Sequence, residues 1–228
     1  MAKKKKSITG RHFWLNAGLT VLLFAFLLTA ATWAVLSFQP LYHLVIRILN
    51  VPQETGYSYE TCKVNYDVLI RYNQFFGPTT LAFPDFPMSD AGRQHFAEVR
   101  QIFVIMQYVA MGSFVLLIPG VIAARKKQAW GWLKATIILT LTVIAAVGFA
   151  ILINWNWTFT VFHKIVFRND FWIFNGAKDP IIYILPDEAF LADGVAILVL
   201  MGTGLVIAGL VYRRKKRAIA KMIAKKRK

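Results

Sequence analysis

Four runs without a charged side chain decide what this chain can become: residues 13–38, 102–124, 135–155 and 194–212. Each has at least 18 residues, which as a helix rising about 1.5 Å per residue is enough to cross roughly 30 Å of hydrocarbon. A hydrophobic share of 57% also belongs to an integral membrane protein and to no ordinary soluble domain. The charges between the runs are sorted by side. Segments 1–12, 125–134 and 213–228 carry five, four and ten lysines or arginines and no carboxylate. All 11 acidic residues fall in segments 39–101 and 156–193, beside the remaining eight cations. The positive-inside rule then predicts both termini in the cytoplasm and two loops outside. A net charge of +16 reads as orientation and attraction to membrane lipids rather than nucleic-acid binding. The first run is too long for a signal-peptide core and no Ala-x-Ala site follows it cleanly, so it reads as a retained span. The expected fold is an α-helical integral membrane protein: four transmembrane helices with an extracytoplasmic cap of short helices, an extended segment and an aromatic interfacial loop.

The first outer loop opens with β-branched and aromatic residues over 41–49, which predict an extended segment. Tyr59, Cys62, Tyr66, Leu69 and Ile70 recur at helical spacing, predicting an amphipathic helix over 57–76 with a weaker last turn at Asn73. Ser89 is an N-cap for a helix that runs into the second span. The second outer loop threads His163, Lys164, Arg168, Asn169 and Asp170 among nine aromatic residues, so it is expected to lie on or dip into the outer leaflet. Within the spans there are no carboxylates and no histidines, which argues against a transporter or channel. Gly202, Gly204 and Gly209 read as helix-packing surfaces. Pro119-Gly120 reads as a local kink or end effect.

His95 and His163 are the residues that point to chemistry. One stands just before the second span and the other just after the third, and those spans are joined by a short turn, so their outer ends are neighbours. An imidazole, with an ordinary pKa of about 6.5, gives and takes protons near neutrality. Glu98 follows His95 by one helical turn and Asp170 lies in the loop of His163. Either carboxylate could fix a tautomer. A metal site built from His95, Glu98, His163 and Asp170 is stereochemically conceivable, although its spacing is no recognised ligand pattern. Cys62 is the single cysteine and reads as an inert thiol. His12 and His43 read as surface or structural residues.

The strip Phe86-Pro-Met-Ser-Asp-Ala-Gly-Arg-Gln-His95-Phe-Ala-Glu98-Val, then Phe162-His163-x-x-x-Phe167-x-Asn169-Asp170-x-Trp172, then Asp179-Pro180-Ile-Ile-Tyr-Ile-Leu-Pro186, together with the four spans, resemble the bacterial lipoprotein intramolecular transacylase (Lit) family over essentially the whole chain. Glu98 stands where the family pattern has Asp, and residues 175–178 alter the spacing from the Trp to the Pro. The resemblance implies an enzyme of the bacterial cell membrane whose substrates are diacylglyceryl-modified lipoproteins. Such an enzyme moves the sn-2 acyl chain onto the α-amino group of the N-terminal cysteine at the outer leaflet, with no cofactor. Under it His163 is expected as principal acid/base and His95 as its partner. Glu98 and Asp170 would orient imidazoles, Arg93 or Asn169 would stabilise an oxyanion, and Trp172 would support the site. The rival expectations are a lipid- or protein-binding membrane module without catalysis and a metal-dependent membrane hydrolase.

Overall fold

The computed structural model describes residues 12–225. The basic runs at 3–6 with Arg11 and at 226–228 lie outside the described residues. The described chain has helices and no strand: α1 (Phe13–Ser37), α2 (Gln39–Ile48), α3 (Val51–Thr55), α4 (Tyr59–Tyr72), α5 (Asp90–Lys127), α6 (Gly131–Ile153), α7 (Trp155–Phe167), a 3₁₀ helix (Pro180–Ile184) and α8 (Asp187–Lys225). Four of them, α1, α5, α6 and α8, are long and apolar enough to cross a membrane, and they contain the four uncharged runs except Phe38, Asn154 and Trp155.

The chain divides into two compact units. One comprises the residues up to Thr29, Val109–Ala146, and those from Val199 onward. Its core is Leu19, Ala124, Trp130, Trp132, Leu133 and Ala208. Two helix contacts there are close at glycine: a Cβ on Gly120 would come within 2.5 Å of Leu19 Cδ2, and one on Gly204 within 2.5 Å of Leu27 Cδ2, so either leucine side chain would have to turn aside. Gly202 and Gly209, the other expected packing positions, have no such close neighbour. The turn from α5 to α6 is short, and Asn16 Oδ1 accepts the Trp132 backbone N–H at 3.1 Å. α5 continues through Pro119 to Lys127, so the proline ends nothing.

The other unit, Ala30–Tyr108 with Val147–Leu198, holds the short helices. The extended segment expected over 41–49 is helix α2 instead. Tyr42, Val45, Ile46 and Leu49 stand at i, i+3, i+4 and i+7 and all pack on the core of this unit, so burial of one helical face overrides the β preference of the branched residues. Pro40 suits the first turn of that helix, where no backbone N–H is needed. α4 forms at the expected spacing and stops at Tyr72, with Asn73 as its C-cap, rather than reaching Phe76. The expected aromatic loop begins as helix α7. Asn154 caps it by accepting the Trp157 N–H at 2.9 Å, and none of its residues is fully buried.

Side chains fasten the loop after α4 to two of the long helices. Trp33 Nε1 on α1 donates to Gln74 Oε1 at 2.9 Å. On α5, Gln107 Nε2 donates to the Asn73 carbonyl at 2.9 Å, and Gln107 Oε1 accepts from the Phe75 N–H at 2.9 Å. Farther along the chain the 3₁₀ helix is held by the Tyr42 hydroxyl, which donates to the Ile184 carbonyl at 2.7 Å.

Candidate active site

His95 lies in the second turn of α5, whose start is fixed as the sequence predicts: Ser89 Oγ accepts the Gly92 N–H at 3.0 Å. A second anchor was not foreseen. Asp179, only 3% exposed, accepts the Ser89 N–H at 2.7 Å and the Ser89 hydroxyl at 2.8 Å. A carboxylate at a helix N-terminus is favoured by the helix dipole, and both of its hydrogen bonds are charge-assisted. Gly92 is required beside it, since a Cβ there would overlap the Asp179 carboxylate.

His163 lies in α7, and its ring meets that of His95 with centroids 6.1 Å apart and planes at 37°. Aromatic rings wall both. His95 has Phe167 at 4.7 Å and Phe174 at 5.5 Å. His163 has Phe159 at 4.0 Å and Trp172 at 4.9 Å. His95 is buried, with 5% exposure, and its Nδ1 has no hydrogen-bond partner among the described residues. His163 Nδ1 stands 2.8 Å from the Phe159 carbonyl oxygen. A carbonyl only accepts, so the proton is on Nδ1 and the lone pair is on Nε2. Burial lowers the His163 pKa below the ordinary imidazole value, against opposing contributions from the Phe159 carbonyl and the charge of Asp187. The site therefore presents a neutral imidazole whose basic nitrogen is Nε2 next to a second, buried imidazole.

The carboxylates differ from the expectation. Among the described residues no hydrogen bond joins Glu98 to an imidazole, although its charge raises the His95 pKa against the lowering by burial: its oxygens accept from Asn169 Nδ2 at 3.2 and 3.0 Å, and from Gln94 Nε2 at 3.0 Å. Asp170 is exposed, and among the described residues no hydrogen bond or ion pair joins it to either ring. The carboxylate that acts on His163 is Asp187 in the first turn of α8. Sequence proximity favoured Asp170, and the signal for Asp187 was only its place beside Pro186 in the third motif. Arg93 is exposed and donates to the Met88 carbonyl at 3.4 Å. Asn169 and Trp172 both reach the site, as Trp172 Nε1 donates to the Asn169 carbonyl at 2.9 Å.

Two other groups stand apart from the pair. Cys62 is fully buried in the apolar core with Tyr42 and Tyr66, and burial pushes its thiol pKa up, the opposite of a poised nucleophile. His43 Nε2 faces Asp67 Oδ1 at 3.6 Å. Among the described residues no three His, Cys, Asp or Glu side chains converge as a metal site, so the four-residue ligand set conceived from the sequence is not assembled.

A multi-pass membrane protein with an aromatic-walled histidine pair is the class that this fold and geometry define. The family model for the lipoprotein intramolecular transacylase Lit matches residues 17–190, and the chain belongs to that family of transferases. It is similar to the in meso structure of the membrane integral Lit from Bacillus cereus, with 32% sequence identity and a TM-score of 0.88 over 93% of this chain and 99% of that one. Structures of the Bacillus cereus protein with a histidine-to-arginine and a histidine-to-alanine mutation both give 32% identity and a TM-score of 0.82, covering 93% of this chain. They are covered over 95% and 96% of their own chains. No curated protein sequence matches the chain.

Proposed function

We propose that the chain acts on lipoproteins whose N-terminal cysteine carries a thioether-linked diacylglyceryl group. It transfers the sn-2 acyl chain to the α-amino group of that cysteine and leaves a lyso-form lipoprotein. The amine nitrogen bonds to the ester carbonyl carbon, the bond from that carbon to the glyceryl oxygen breaks, and a net proton passes from the amine to that oxygen. Donor and acceptor belong to one molecule, so the catalyst has to orient them and carry the proton.

The observation that carries this reading is the meeting of the two imidazoles at 6.1 Å, with Nε2 of His163 left unprotonated. His163 is the principal acid/base and takes the amine proton. His95 is the second proton carrier, and the pair needs no covalent intermediate. The aromatic walls exclude water from a carbonyl that water would otherwise hydrolyse. The charge of Asp187 favours the imidazolium formed in passing. The same division of cations and carboxylates that orients the chain supports termini in the cytoplasm and a site at the outer leaflet.

The test is mass spectrometry of the N-terminal peptide of a reporter lipoprotein, from cells with this chain, with its His163→Asn variant, and with neither. Acyl chain on the α-amine is expected only with the intact protein, the variant losing on the order of 10²–10⁴-fold in rate. An active His163→Asn variant removes the histidine from the mechanism. An unmodified amine in all three, with the protein verified in the membrane, favours a binding module.

A further inference from the structure

Asn169 is bonded through every polar atom it offers beyond its own N–H. Its Nδ2 reaches both oxygens of Glu98, 71 residues away, at 3.2 and 3.0 Å. Its Oδ1 accepts the Phe171 N–H at 3.1 Å, and its carbonyl accepts the Trp172 indole N–H at 2.9 Å. Each end of this set leads to one imidazole. Glu98 sits one helical turn beyond His95 on the same face of α5. The Trp172 ring lies 4.9 Å from that of His163, with planes at 34°. Between α7 and Asn169 the chain reverses at Arg168, whose φ of 53° is left-handed, a conformation that costs a residue other than glycine energy and needs outside support.

We propose that Asn169 is a positioning residue that sets the separation of His95 and His163, gripping α5 through Glu98 and the His163 ring through Trp172. Asn169 itself holds neither imidazole. The assignment rests on the reading of the two histidines as an acid/base pair. Glu98 thereby acts as an anchor of the clamp rather than as an orienting carboxylate on His95. With the clamp open, the turn after α7 loses its hydrogen bonds to Glu98 while the Asp179–Ser89 anchor and the Phe174 contact remain, and the spacing of the rings is less constrained. A misplacement of about 1 Å in a reacting geometry costs on the order of 100-fold in rate.

The experiment uses the full chain in nanodiscs with a synthetic diacylglyceryl-cysteinyl peptide. Asn169→Asp sets one carboxylate against another. Adding Glu98→Gln reverses donor and acceptor and restores the bond. The single Asn169→Asp variant is expected to lose about 100-fold in kcat with KM unchanged, and the double variant to recover most of the loss, which a general structural role for either residue would not give. Wild-type kcat in Asn169→Asp, or a double variant as slow as the single one, overturns the clamp. Where Asn169→Asp does not accumulate in the membrane, Asn169→Leu replaces it, and wild-type kcat in that variant overturns the clamp equally. His163→Asn measured alongside separates the two claims. If it is inactive while Asn169→Asp runs at full rate, the clamp alone fails; if it is active, the acid/base reading fails.

Discussion

The proton on His163 Nδ1 is held by a backbone carbonyl four residues earlier in the same helix, so the tautomer does not depend on a side chain from elsewhere in the molecule. For the proposed acid/base role the consequence is a sign that can be measured. Burial holds the His163 pKa below the ordinary imidazole value, so the ring is neutral and basic at pH 7 and is lost as a base only when pH falls through that lowered value. The acid limb of the pH–rate profile is therefore expected below about 6.5. The negative charge of Asp187 favours the imidazolium, so Asp187→Asn should shift the limb further toward acid. A limb that stays in place in Asp187→Asn shows that the Asp187 charge does not act on His163. Here the sequence was readable in part. His95 and His163 were recognisable as a pair because one short turn makes the second and third spans neighbours, and the histidines flank the outer ends of those spans. The carboxylate was misplaced because Arg168 reverses the chain and leaves Asp170 exposed, a turn no neighbouring residue type announces.

Among the elements, the N-terminus of α5 carries the site, and Asp179 holds it from 90 residues away. Asp179→Ala leaves two half-buried Ser89 donors without their acceptor. A loss of about 1–3 kcal/mol is expected, read as a lower midpoint in thermal unfolding together with a fall in kcat. A variant with unchanged midpoint and unchanged kcat would show that the anchor is dispensable. Gly77→Ala belongs to the same scale: its Cβ would overlap the Arg71 carbonyl at the end of α4, and rigid backbone cannot yield as a side chain can. It is expected to lower the same midpoint. The spans, the cap at Ser89 and the stripe of α4 were legible because local rules set them. Helix α2 was not, because its fold is decided by the partners of Tyr42 and Ile46 rather than by its own propensities. The long-range acceptor of Ser89 leaves no trace in its own neighbourhood beyond an Asp-Pro pair.

For the whole molecule, the distribution of charge is the strongest constraint, and it makes a prediction about sidedness. Cys62 is buried and single, so a Cys62→Ala background leaves room for one new thiol at a time. Phe76, 92% exposed, and Lys225, exposed on the last turn of α8, fall on opposite sides of the division between acids and cations. In intact cells a membrane-impermeant maleimide is expected to label Phe76→Cys and to spare Lys225→Cys until the cells are opened. The reverse pattern inverts the topology. Helix α5 runs 38 residues without interruption, about 57 Å at roughly 1.5 Å per residue. His95 and the first uncharged residue of the span, Ile102, belong to the same rigid rod, about 10 Å apart along its axis. The height of the imidazole above the oily layer is thus a matter of register, counted in residues, and the helix serves as a gauge. A single residue inserted between them would lift His95 by about 1.5 Å and turn it by about 100°, with every contact inside the span left in place.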